Sequence, residues 1–176
     1  MALNRFLFHR AFFKLKNAVK SKQNATFAMG VSSLVDKGND LHFPMLDYDT
    51  KDLQNILEDL HKLTFKHELK TCYLYGTRKG FHAIFPFDIR HWNEVQNIIW
   101  DAGVDWRYKS FAQQYKRVFL RVAGKYKDQD IKFVGVSKSP FRPTHEECLI
   151  GNSIIEMHES LFNMHDKLFP RSKLYD

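Results

Sequence analysis

The sequence predicts an α+β fold: an antiparallel sheet built on a split βαβ unit, with helices packed on one face. Three observations predict it. Short β-like stretches and two helical periodicities alternate in the order β-α-β-β-α-β after an opening hairpin. Turn chemistry rich in Gly, Asn and Asp separates the stretches. The chain has 176 residues, 44% of them hydrophobic and 15% aromatic, enough to bury one core. With no internal repeat, low-complexity tract or linker, residues 1–176 read as a single domain.

Residues 3–20 carry Leu3, Phe6, Leu7, Phe12, Phe13, Leu15 and Val19 among Arg and Lys, which predicts an N-terminal amphipathic helix. Ala25 to Leu34 reads as a strand. Asp36-Lys37-Gly38-Asn39-Asp40 is a turn, expected to join it as a hairpin to the strand that ends at Asp47 and Asp49. Thr50 or Asp49 is the expected cap of the next helix, whose Leu53, Ile56, Leu57 and Leu60 follow i, i+3, i+4, i+7. Thr71–Tyr75 and Phe81–Phe85 flank Gly76-Thr77-Arg78-Lys79-Gly80 and predict a second hairpin. Trp92, Val95, Ile98 and Ile99 mark a helix over 90–102, with Gly103 as its expected C-cap. Val118–Val122 and Ile131–Val136 are strands on either side of a turn from Gly124. A last helix begins at Thr144 or His145. The arrangement is RRM-like, and it leaves the second sheet face open to present side chains.

Lys and Arg number 27 against 20 Asp and Glu, a net charge of +7. That surplus favours a polyanionic partner. Cys72 and Cys148 are the only cysteines and belong to no CxxC pair, so neither a disulfide framework nor a thiolate zinc site is supported. A reducing compartment follows as the expectation, cytoplasmic or nuclear. No apolar run is long enough for a spanning helix, and Arg5, Arg10, Lys14 and Lys16 interrupt the start where a signal peptide would be apolar.

The chemistry is concentrated in four places. In an extended strand, Asp47 and Asp49 project to one face, and two carboxylates so close repel unless a cation lies between them. Oxygen ligands of this kind suit Mg²⁺ or Mn²⁺, although a capping Asp and a solvated strand end would look the same. Next, the turn holding Arg78 and Lys79 has glycines at both ends, so its backbone amides and cations can approach an anion, with His82 just inside the following strand. Third, Asp105 follows Val104 at an element end. Finally, alternation sets Arg117, Phe119 and Arg121 on one face of a strand, with Lys125 just past its glycine.

Taken in order, LDYDT, GTRKGFHAIF, VD and FLRVAGK resemble the archaeo-eukaryotic primase superfamily, the primase–polymerase fold. The middle motif is similar to the Ser-Gly-Arg-Arg-Gly-Val-His of the eukaryotic primase small subunit. The likeness covers roughly residues 41–126. It implies a metal-dependent nucleotidyltransferase, a DNA primase or primer-extending polymerase acting in replication. Asp47, Asp49 and Asp105 would hold two Mg²⁺ or Mn²⁺ ions as the catalytic carboxylates. Arg78, Lys79 and His82 would hold the incoming nucleoside triphosphate, and Arg121 and Lys125 phosphate or template backbone. The implied partners are a single-stranded DNA template and nucleoside triphosphates, with a helicase or other replication protein as a further candidate and no membrane. The chain departs from the family in having no cysteine set for a zinc module and no helicase or Walker motif.

A second class is a non-catalytic module that binds single-stranded nucleic acid or nucleotides on the same sheet. A histidine-metal hydrolase drawn from His145, Glu146, His158, Glu159 and His165 fails on spacing, because His158-Glu159 lacks the second His of the HExxH motif.

Overall fold

The computed structural model describes residues 28–124 and 131–168. The expected N-terminal helix over 3–20, and Lys125, lie outside the described residues. The elements run β1 (Ala28–Ser32), β2 (Leu34–Asp36), β3 (Leu41–His42), β4 (Met45–Tyr48), α1 (Leu53–His67), β5 (Cys72–Gly76), β6 (Phe81–Ile84) and β7 (Arg90–His91). They continue with α2 (Trp92–Asp101), α3 (Trp106–Tyr115), β8 (Phe119–Gly124), β9 (Lys132–Ser137) and α4 (His145–Leu168). The class is α+β, as the sequence predicts.

The main sheet has the order β4-β6-β5-β9. Strands β4 and β5 both pair antiparallel with β6, so they run parallel to each other across it, connected by α1. That is a split βαβ unit. Strand β9 adds antiparallel to the outer edge of β5. It does not return along β8 as a hairpin; β8 pairs with β1 and runs beside β4. The opening hairpin is shorter than expected. Only β2 and β3 form it, β3 pairs onward with β7, and the chain turns at Phe43-Pro44 before entering β4.

Met45, Leu46 and Tyr48 are buried on β4, because both faces of this strand are covered. On one face, the Tyr48 hydroxyl donates to Asp59 Oδ2 of α1 at 2.7 Å, and Gly103 N donates to the same oxygen at 2.8 Å. One carboxylate thus ties sheet, α1 and the end of α2 together. Helix α1 is capped by Asp52, whose Oδ1 accepts from Asn55 N, while Thr50 Oγ1 accepts from Asp52 N ahead of the cap. Its buried stripe is Ile56, Leu60, Leu63 and Thr64, so the face is rotated away from the exposed Leu57.

The opposite face carries Asp47, His82 and Tyr75, which occupy paired register positions. The sequence leaves this face open, and here the structure corrects it. Helix α4 lies over it: His158 is buried with its ring 4.3 Å from that of Tyr75, and Gly151 lies against Phe87. The physical reason is the apolar side of α4, where Ile154 is buried and Ile150 and Met157 are packed against the core; this surface is larger than water tolerates. Helices therefore cover both faces.

Helix α3 is an element the sequence reading lacks. Its residues Trp-Arg-Tyr-Lys-Ser-Phe-Ala-Gln-Gln-Tyr bury only Ala112, so no apolar stripe announces it. It is started by Asp105 as N-cap and fixed to the sheet by the Tyr108 hydroxyl, which donates to Met45 O at 2.5 Å.

Candidate active site at the end of strand β4

Strand pairing places Asp47 directly across from His82, and His82 directly across from Tyr75. Nε2 of His82 is 3.5 Å from Oδ1 of Asp47. Burial, then the repulsion of Asp49, pushes the Asp47 carboxyl up to about 6, with Arg121 acting the other way. Burial, with Arg121 adding to it, pushes the His82 imidazole down to about 4. At neutral pH the contact is therefore a neutral imidazole beside a carboxylate, not an ion pair. Burial outweighs the attraction. His82 Nδ1 is buried and, among the described residues, has no hydrogen-bond partner. His158 stands behind it, its own imidazole pushed down to about 3 by burial and then by His82.

The β5–β6 turn lies against the same end of β4. Tyr48 pairs with Phe81, and a Cβ on Gly80 would lie 1.6 Å from Tyr48 O. Glycine is required there by that close approach, whatever else the turn does. Thr77 N donates to Gly80 O at 2.8 Å, and Gly80 N donates to Thr77 Oγ1 at 3.0 Å. Those two amides serve the turn itself. The anion-facing groups it offers are the exposed side chains of Arg78 and Lys79. Lys51, which donates to Thr77 O, adds a third cation at this edge.

The structure thus brings Asp47, Asp49, His82 and Arg121 together, with Arg78 and Lys79 alongside. It does not assemble the expected carboxylate trio. Asp105 caps α3, its Oδ1 accepting from Arg107 N at 2.7 Å, which is the ordinary role of Asp at a helix start. Among the described residues, no three His, Cys, Asp or Glu side chains are grouped so as to hold one ion. His82 is 6% exposed, with Nε2 toward Asp47.

Two residues of the site escape sequence reading. Tyr108 is partly buried, its hydroxyl held well above the ordinary value by desolvation and by the charge of Asp47. Its only signal is position, three residues into a helix that the pattern does not reveal. His158 lies on α4, far along the chain, and nothing local marks it as the neighbour of His82.

The donor chemistry suits one hard divalent cation. Mg²⁺ commonly takes one or two protein carboxylates and completes its shell with water and substrate phosphate; Asp47 and Asp49 would be those two. A second ion of a two-metal site would need another donor, and Asp105 would have to leave its cap to provide it. Among the described residues no helix is long and apolar enough to cross a membrane. In comparisons with known proteins, no family model, no curated protein and no solved structure matches this chain.

Proposed function

We propose that the chain is a metal-dependent nucleotidyltransferase of the primase or primer-extending type, acting on nucleoside triphosphates and a single-stranded template. One observation carries the reading. Two mutually repelling carboxylates, Asp47 and Asp49, end a strand beside a turn that exposes Arg78 and Lys79. A negative pair next to a cationic edge is the polarity that a metal-bound triphosphate requires.

Asp47 and Asp49 would hold Mg²⁺ or Mn²⁺. When bound, the ion supplies positive charge to the attacking hydroxyl and to the departing pyrophosphate. Arg78 and Lys79 bind the outer phosphates, and Arg121 neutralises charge on the side of Asp47 and His82. His82 is neutral at working pH, so it acts as a positioning residue for Asp47 and not as an acid. Phosphoryl transfer asks mainly for positioning and charge neutralisation, which these side chains provide.

The second reading, a non-catalytic binder of nucleotides or single strands, is favoured by the capping role of Asp105 and the burial of His82. One assay separates them: the full chain is incubated with Mn²⁺ or Mg²⁺, a single-stranded template, with and without primer, and labelled nucleotides. Labelled product from the wild type, lost in Asp47→Asn and Asp49→Asn, is expected. A wild type that binds nucleotide yet incorporates none with either ion would leave the binding module as the answer.

A further inference from the structure

Helix α3 displays aromatic side chains that a core would ordinarily take in. Trp106 is 67% exposed, Phe111 59% and Tyr115 53%. Phe111 and Tyr115 are one turn apart with rings stacked, centroids 5.7 Å apart at 14°. Cations stand near two of the exposed rings of this stretch. The Arg107 guanidinium is 5.9 Å from the Trp106 ring centre, and beyond the helix the Arg117 guanidinium is 5.2 Å from that of Phe119, itself 46% exposed. From Trp106 to Arg121 the sequence has five Lys or Arg and no Asp or Glu.

The partner's chemistry follows from the way the two residue types are mixed. A helix that lies on a membrane separates its apolar face from its cationic one, and a protein-facing apolar patch is depleted of charge at its centre. Here exposed rings and cations are interspersed along one stretch of chain that holds no acidic side chain. Alternating base and phosphate is the feature of single-stranded nucleic acid, whose bases stack on aromatic rings while its backbone follows positive charge.

The surface also leads somewhere. Alternation along β8 places Phe119 and Arg121 on one face while Leu120 is buried on the other. Arg121 is close enough to shift both Asp47 and His82. Along the chain, rings and cations thus run from α3 into the start of β8, a strand that lies beside β4.

We propose that α3 and the first residues of β8 are a docking track for single-stranded nucleic acid, with bases stacked on Phe111, Tyr115 and Phe119. The direction of the track, toward Asp47, rests on reading that end as the place of nucleotidyl transfer; binding along it does not.

The test measures binding of the full chain, without metal, to a labelled oligothymidylate of about 20 nucleotides, enough to span a site of ordinary size. An abasic strand of equal length and phosphatidylserine vesicles are the comparisons. The expected result is preference for the thymidylate over the abasic strand. The exposed pair Phe111→Ala/Tyr115→Ala should weaken thymidylate binding about tenfold or more and leave binding of the abasic strand unchanged. Equal binding of both strands, vesicle binding without strand binding, or an unaffected double variant would each overturn the track. A wild type that binds the strand in this way but incorporates no nucleotide would count against the transferase reading and leave the track standing.

Discussion

His82 and Asp47 meet at a directly paired position of two antiparallel strands, Nε2 to Oδ1 at 3.5 Å, and yet do not form an ion pair at neutral pH. Burial moves the two groups in opposite directions, His82 to about 4 and Asp47 to about 6, so between these values both are mostly uncharged. Above them Asp47 carries its charge beside Asp49, and among the described residues Arg121 offsets it. A site in this condition gains from a cation.

Acid should destabilise the fold well before ordinary carboxylates titrate. His158 and His82 are lowered to about 3 and 4, and burial lowers His42 too. An unfolded chain takes up these protons near 6.5, whereas the native state does so only at lower pH. Their stabilising contribution is complete above about 6.5 and declines as pH falls through the native values. Asp47 has the opposite sign, since its native state protonates first, near 6, and Asp88, raised by burial, shares that sign, but they are two groups against three. Urea midpoints should therefore fall steadily from pH 7 to pH 4. His158→Phe should make the slope shallower by about one proton; identical slopes would contradict the burial account.

Asp105 is expected to act as a cap and not as a ligand. Asp105→Asn keeps a good capping oxygen and should change neither stability nor nucleotide incorporation. Asp105→Ala should cost about 1 kcal/mol in thermal or urea unfolding. Loss of incorporation in the Asn variant, with stability intact, would return this carboxylate to the catalytic set.

Gly151 marks where α4 seats on the sheet. A Cβ there would come within 2.2 Å of the Phe87 ring and 3.0 Å of Pro86 O. Gly151→Ala should therefore cost about 1–3 kcal/mol through overpacking, although alanine favours a helix elsewhere. An unchanged urea midpoint would mean that α4 does not hold this face.

What the sequence makes legible is local. Trp92, Val95, Ile98 and Ile99 announce α2, and turn chemistry between two apolar runs announces the β5–β6 hairpin, because each signal lies within one element and its caps. His82 falls opposite Tyr75 for the same reason, the register of that hairpin, whereas its pairing with Asp47 joins strands that α1 and β5 separate along the chain. The failures are long-range. Nothing near Ile131–Val136 says that this strand joins β5 instead of β8, and nothing near His158 says that its helix closes the face holding His82. Helix α3 is missed because its side chains face outward, leaving no periodic stripe to read. Asp105 reads equally as cap or ligand until its hydrogen bond to Arg107 is seen.

The central claim is that Asp47 and Asp49 together receive a divalent cation with a nucleoside triphosphate. Mn²⁺ binding to the full chain, followed by electron paramagnetic resonance with and without a nucleoside triphosphate, tests it most directly. The wild type should bind Mn²⁺, more tightly when the triphosphate is present, and Asp47→Asn and Asp49→Asn should each lose most of that affinity while remaining folded. Equal Mn²⁺ affinity in the wild type and both variants would contradict it.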